Sequence, residues 1–89
     1  MDAALPGEDL VRQGLTDLAS GMQTEAALLV SIGAPRLRRL GLLVPVALPD
    51  PEHRLYARLV ERGPEAAHSR YNALLRRLVS FERALACAR

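Results

Sequence analysis

The fold is decided by the end of the chain, residues 64–89, which read PEAAHSRYNALLRRLVSFERALACAR. No proline or glycine follows Pro64, and apolar residues recur at alternating spacings of four and three, in the order Ala67, Tyr71, Leu74, Leu78, Phe81, Leu85, Ala88. This spacing places them along one face of an α-helix that is about 37 Å long at about 1.5 Å per residue. Leu75 and Val79 widen the apolar stripe toward the face of a bundle.

The composition extends the helical prediction to the whole chain. Leu and Ala contribute 31 of the 89 residues, whereas Val, Ile and Thr contribute nine. Unbranched side chains lose little rotamer freedom in a helix, so this ratio favours an all-α fold. We expect a single helical domain, residues 1–89, built as a small bundle of four to five helices with the long C-terminal helix as its spine.

Two helices are predicted before residue 35. The first runs from about Glu8 to Ala19 and ends at Ser20-Gly21, where glycine supplies a left-handed residue or Ser20 caps the next helix together with Gln23. The second runs from about Met22 to Ile32 and is expected to stop at Gly33.

A third helix is predicted after an extended connector. Residues 35–40 form a short basic turn, and residues 42–49 are extended because Pro45 and Pro49 disfavour helix. Asp50 is expected to cap the next helix, which begins at Pro51 and ends at Arg62. Gly63 is expected to provide a left-handed cap, and Pro64 to start the long last helix.

The charges of the chain are unevenly distributed. All twelve basic residues are arginine, and the net charge of +2 does not by itself imply nucleic acid. Residues 1–33 carry five acids and one arginine, whereas residues 34–89 carry five acids and 11 arginines. We therefore expect the acids of the first helix, Glu8, Asp9 and Asp17, to lie against an arginine flank of the last helix formed by Arg70, Arg76, Arg77 and Arg83, either within one chain or between two copies.

Several functional classes are disfavoured by what the sequence lacks. Cys87 is the single cysteine, which fits a reducing cytoplasm, and no His or Cys pair has metal-ligand spacing. The N-terminus, Met1-Asp2-Ala3, is acidic where a secretory leader is basic, and the longest apolar run is far shorter than the roughly 20 residues of a membrane span. We expect no cofactor, no metal and no membrane. The absence of a phosphate-binding loop, paired carboxylates or a nucleophile elbow disfavours an enzyme.

The last helix supplies the candidate interaction surface. It is longer than the other predicted elements can cover, so part of its apolar seam is expected to meet a second copy of the chain or a protein partner. The candidate residues are Tyr71, Leu74, Leu78, Phe81 and Leu85 of the seam, and Arg70, Arg76, Arg77 and Arg83 of the flank.

A polar cluster is predicted at the start of the last helix, where His68 and Asn72 stand four residues apart and Arg62 precedes them. Arg62 followed at six residues by His68 resembles the active-site motif of the HEPN helical ribonucleases. The resemblance covers these two side chains, is interrupted by Gly63-Pro64 and lacks the small polar residue that usually follows the arginine. It implies RNA cleavage by the Arg62/His68 pair at a dimer interface.

The sequence thus leaves three functions open. The favoured one is a small cytoplasmic protein-interaction and self-association module, with a homodimer as the first expectation. The first alternative is a nucleic-acid-binding protein, in which Arg36, Arg38 and Arg39 form a helix-turn-helix-like basic turn and the arginine flank adds phosphate contacts. The second alternative is the ribonuclease-like protein that the Arg62/His68 pair suggests.

Overall fold

The computed structural model describes residues 4–88, and over this range the chain forms four α-helices and no strand. The helices are α1 (Glu8–Ala19), α2 (Glu25–Arg39), α3 (Pro51–Arg62) and α4 (Ala67–Ala88). The prediction of an all-α fold with a long C-terminal helix is confirmed, and four helices agree with the expected number. Residues 1–3, on which the leader argument rests, and Arg89 lie outside the described residues.

The central helix is α2, so the expectation that the C-terminal helix forms the spine is wrong. Nine of the 15 residues of α2 are buried, compared with four of the 22 residues of α4. Small residues at the contacts of α2 with its neighbours let the helices approach closely. A Cβ atom on Gly14 of α1, for example, would overlap the carbonyl oxygen of Ala26 in α2. Each of the other three helices therefore packs against α2.

The helix α2 continues through Gly33 and Pro35, although a stop at Gly33 and a separate basic turn were expected. Pro35 lacks a backbone N–H donor, and Gly33 increases the flexibility of the backbone. On helix-propensity scales, the two residues together disfavour a helix interior by a free energy on the order of several kcal/mol. This cost is offset by tertiary burial, because Ala34 and Leu37 are fully enclosed. Residues 35–40 are therefore the end of α2, and the structure contains no separate element that fits the helix-turn-helix interpretation among residues 4–88.

Local hydrogen bonds fix where the first two helices end and begin. Gly21 is left-handed, as predicted, and follows the C-terminus of α1. The cap of α2 is Thr24 and not Ser20, because the Thr24 hydroxyl oxygen accepts from the Ala27 N–H at 3.1 Å. Met22 is consequently outside the helix and half exposed.

The corner between α3 and α4 differs from its prediction. Asp50 precedes α3 with a left-handed backbone, and its side chain makes no capping hydrogen bond. Gly63 is extended rather than left-handed. Residues 64–66 form a turn closed by the Ala66 N–H on the Gly63 carbonyl, so α4 begins at Ala67 and not at Pro64.

The connector, residues 42–49, is neither helix nor strand and is anchored at both ends. The guanidinium group of Arg38 donates to the carbonyl oxygens of Val44 and Pro45, at 3.3 and 2.9 Å. Near the other end, the Leu48 N–H donates to the Ser31 hydroxyl oxygen at 3.0 Å. These anchors hold the connector across α2.

Candidate functional site

The apolar seam predicted on α4 is largely used inside the chain. Leu78 and Phe81 are each 4% exposed and belong to the core. Tyr71 packs edge-on against Tyr56 of α3, with ring centroids 5.4 Å apart. Burial, with a smaller contribution from the nearby Glu52 carboxylate, raises the pKa of the Tyr71 phenol. Leu74 and Leu85 are half-buried and line surface grooves.

The four arginines of the expected flank are divided between two sides of α4. Arg70 and Arg77 line a groove of about 290 Å³ together with Arg62 and Glu25. Arg76 and Arg83 line a different groove on the outer side of α4. The prediction that the four arginines form a single flank is therefore wrong. In a helix of 3.6 residues per turn, residues 70 and 76 are separated by about 120° around the axis, which is too far for them to share one side.

The expected pairing of the first and last helices is formed by one ion pair. The Arg77 guanidinium lies 3.1 Å from an Asp9 carboxylate oxygen. Glu8 instead pairs with Arg12 of the same helix at 2.8 Å. Asp17 accepts hydrogen bonds from Gln13 and Thr24. The acidic first helix therefore contacts the arginines of α4 through Asp9, whereas the interaction expected for Glu8 and Asp17 is not present.

The members of the predicted polar cluster have separate partners. The Asn72 amide nitrogen lies 3.1 Å from the His68 Nε2 atom on the surface of α4. The Arg62 guanidinium instead binds both carboxylate oxygens of Glu25, at 2.7 and 2.8 Å. The groove that Arg62 lines does not include His68. The ribonuclease-like interpretation stays a prediction, and the geometry gives Arg62 a structural partner.

Arg62 is one of three arginines along α3 that fasten this helix to the α1–α2 junction. Arg54 donates to the Gln23 side-chain oxygen, and Arg58 donates to the Gln23 backbone carbonyl. The spacing of four residues from Arg54 to Arg58 to Arg62 places the three groups on one face of α3, next to residues 23–25. These arginines are thus engaged in holding the fold.

A first grooved surface, here called the α2–α4 face, lies between the C-terminal half of α2 and the outer side of α4. One of its two grooves, of about 380 Å³, is lined by Ile32, Pro35, Arg36 and Arg39 of α2 and by Leu75, Leu78, Val79 and Glu82 of α4. The other, of about 450 Å³, runs along α4 past Leu75, Arg76, Val79 and Arg83. The grooves adjoin because Leu75 and Val79 line both.

A buried carboxylate, that of Glu82, lies at the base of the α2–α4 face. The residue is 5% exposed, and the Nε atom of Arg36 lies 3.9 Å from one of its carboxylate oxygens. Burial raises the pKa of this carboxyl, and the positive charge of Arg36 opposes the shift in part. Gly33 provides the space, because a Cβ atom there would lie 3.1 Å from the second Glu82 oxygen.

A second grooved surface, here called the connector face, combines the connector with a groove between α1 and α4. The groove, of about 290 Å³, is lined mainly by leucines, with Phe81 at its base and Glu8 and Arg12 at its rim. Leu42 lines the groove, whereas Leu43 and Val46 project into solvent and are 94% and 89% exposed. The connector face is therefore apolar and includes both a depression and projecting side chains.

Comparison of the chain with protein-family models, with curated proteins and with solved structures found no match. Within residues 4–88, no helix has the length and apolar character required to cross a bilayer. No three His, Cys, Asp or Glu side chains in the same range are grouped so as to hold a metal ion. The α2–α4 face and the connector face are therefore the candidate functional surfaces.

Sequence reasoning identified parts of both surfaces without assembling them. The sequence pattern marks Arg76, Arg83 and Leu85 on α4, and Arg36 and Arg39 in the basic turn. Their grouping depends on the packing of α2 against α4, for which the sequence carries no direct signal. For the connector, alternation is a signal that holds only in part: Leu42 and Val44 face the core and Leu43 faces solvent, but Val46, which alternation places on the core side, is exposed.

Proposed function

We propose that the protein is a cytoplasmic protein-interaction and self-association module, and that it self-associates through the connector face. The observation that carries this proposal is the exposure of Leu43 and Val46 on the same connector whose Leu42 lines an apolar groove. Large apolar side chains grouped on a surface are typical of protein-protein contacts. Because the connector is anchored through Ser31 and Arg38, binding here does not first have to order a free loop.

The shape of the connector face suits a two-fold dimer. In such a dimer the same patch of both copies comes together, so the patch must be complementary to itself. Leu43 projects directly next to Leu42, which lines the groove. Each copy is thus able to place its projecting side chain in the groove of the other.

The charges of the connector face are also compatible with self-contact. Glu8 and Arg12 are the charged residues that line the groove, and they form an ion pair with each other at 2.8 Å. Two copies of this groove therefore meet without an excess of like charge. The α2–α4 face differs, because a two-fold contact there would bring the arginines of both copies together.

The proposal is tested by the oligomeric state of a solubilised variant. We expect the wild-type chain to sediment as a dimer at about 50 µM and the Leu43→Ser/Val46→Ser variant to sediment as a monomer. Met22→Ser is the matched control, because Met22 is also a half-exposed apolar residue but lies in the α1–α2 loop, and this variant is expected to remain dimeric. A monomeric wild type, or a connector variant that stays dimeric, would overturn the proposal.

A further inference from the structure

The α2–α4 face presents an apolar strip between two pairs of arginines. The strip consists of Ile32 of α2 together with Leu75 and Val79 of α4, and Val79 is 38% exposed. Arg36 and Arg39 flank the strip on the α2 side. Arg76 and Arg83 flank it on the outer side of α4.

The dimensions of this face match a short helix. The groove along α4 extends from Asn72 to Arg83, which corresponds to about 16 Å, or three helical turns, at about 1.5 Å per residue. Leu75 and Val79 are one turn apart and both line the adjoining groove against α2. A partner helix of about three turns is long enough to cover this strip with two or three apolar anchors.

The charge of the face selects an anionic partner. Arg76 and Arg83 are exposed and make no ion pair or hydrogen bond with any residue in 4–88. The acid that lines the face is Glu82, which is buried beneath Arg36. Arg76 and Arg83 therefore supply positive charge, unpaired among the described residues, along the outer edge of the strip, and Glu82 at its base is buried and paired with Arg36.

The same observations disfavour a second copy of the chain and nucleic acid as occupants of the α2–α4 face. A second copy of the chain in a two-fold contact would oppose arginine to arginine. The phosphates of a nucleic acid would pair with the arginines but would not cover the apolar strip. In addition, no aromatic residue lines either groove, so neither groove offers a side chain for base stacking. The described aromatic residues lie elsewhere: Tyr56 and Tyr71 pack on each other, and Phe81 lines the connector face.

We propose that the α2–α4 face binds an acidic amphipathic α-helix of another protein. Apolar side chains of that helix, spaced i, i+3 or i+4, and i+7, cover Ile32, Leu75 and Val79. Aspartate or glutamate residues on both sides of its apolar stripe pair with the flanking arginines. This inference goes beyond self-association, because it uses a different surface and a different partner.

The experiment is fluorescence anisotropy with a synthetic probe. The probe is a fluorescein-labelled peptide of about 14 residues, with leucines at the spacing given above and glutamates at the flanking positions. We expect wild-type protein to bind the probe more tightly than a scrambled peptide of the same composition, because scrambling keeps the charge but destroys the apolar stripe. A single-stranded RNA of matched charge serves as the competing class of ligand.

Variants of α4 locate the binding. Arg76→Gln/Arg83→Gln is expected to weaken binding of the probe about tenfold, and Val79→Ser is expected to weaken it as well. Arg70→Gln is the matched control, since Arg70 is likewise an exposed arginine of α4 without an ion pair among the described residues, but it lines the groove on the opposite side. The control is expected to bind like wild type. Thermal unfolding of each variant verifies that the fold is retained.

Three results would overturn the inference. The first is equal binding of the intended and scrambled peptides, and the second is equal loss of affinity in Arg70→Gln and in Arg76→Gln/Arg83→Gln. The third is tighter binding of the RNA than of the peptide with the same dependence on Arg76 and Arg83, which would assign the face to nucleic acid. Sedimentation of the same samples reports separately on the connector face, so failure of one proposal is distinguishable from failure of the other.

Discussion

The Thr24 hydroxyl donates a hydrogen bond of 2.6 Å to the Asp17 carboxylate, and this contact joins the end of α1 to the start of α2. Asp17 is 6% exposed, so its carboxylate depends on protein partners in place of water. The same Thr24 oxygen accepts from the Ala27 N–H and caps α2. One side chain therefore satisfies a buried acid and a helix terminus.

Replacing Thr24 by valine removes both hydrogen bonds while nearly keeping the volume of the side chain. We expect the free energy of unfolding to decrease by about 1–3 kcal/mol, because the cap is lost and one oxygen of the Asp17 carboxylate loses its donor. Thr24→Ser retains the hydroxyl and is expected to change stability much less. Urea unfolding of the two variants checks this, and equal midpoints would contradict it.

Gly14→Ala is expected to destabilise the protein, although alanine is the better helix former by about 1 kcal/mol at an ordinary helical site. The added Cβ would overlap the Ala26 carbonyl oxygen and the Val30 side chain, because α1 and α2 are in close contact there. Overpacking of this kind costs about 1–3 kcal/mol. The exposed residue Thr16 of the same helix provides the control, Thr16→Ala. A gain in melting temperature for Gly14→Ala would show that the helices are further apart.

Leu78→Ala is expected to cost about 2–5 kcal/mol, because it leaves a cavity between α2 and α4. Arg83→Ala on the same helix is expected to cost well under about 1 kcal/mol, since Arg83 is exposed and makes no ion pair within residues 4–88. Chemical denaturation measures the difference. Similar unfolding midpoints for the two variants would mean that Leu78 is not part of the core.

Ser31→Ala is expected to loosen the connector. The substitution removes the acceptor of the Leu48 N–H and is expected to cost about 1 kcal/mol locally. Limited proteolysis with chymotrypsin should therefore cut within residues 42–49 faster than in wild type. Ser80→Ala, at an exposed position of α4, is the control for loss of a serine hydroxyl, and cleavage at the wild-type rate in Ser31→Ala would argue against the anchor.

The buried Glu82 carboxyl gives the protein a pH dependence of defined sign. Its pKa is higher in the folded chain than the ordinary value of 4.5, so the folded state holds the proton more tightly than the unfolded state does. This contribution favours folding at low pH, and it is lost as the pH rises from 4.5 through the raised value. Glu82→Gln removes the charge, so its melting temperature relative to wild type is expected to increase between about pH 3.5 and pH 7.

Arg36→Gln tests the cause of that pH dependence. The Arg36 guanidinium favours the charged form of Glu82 and opposes the effect of burial. Its removal is expected to raise the pKa of Glu82 further and to steepen the loss of stability with increasing pH. A pH profile for Glu82→Gln that runs parallel to wild type would show that the carboxyl does not contribute.

The sequence alone determined that this chain is helical and where several helices lie. The bounds of α1, from Glu8 to Ala19, and the end of α3 at Arg62 follow from local signals, namely acidic first turns, prolines and glycines. The uninterrupted period of residues 67–88 is enough to identify α4, because apolar residues spaced by four and three lie on one face whatever packs against it.

Tertiary structure decided how far α2 extends and which residues share a surface. Gly33 and Pro35 are local stop signals, and the burial of Ala34 and Leu37 overrides them. Helical periodicity puts the two arginine pairs of α4 on different sides, and the packing of α2 and α3 decides which residues share a groove with Arg70 and Arg77. The packing of small residues in α2 places that helix at the centre of the fold. Such packing depends on contacts between residues far apart in the chain, and a periodic pattern within one helix does not specify them.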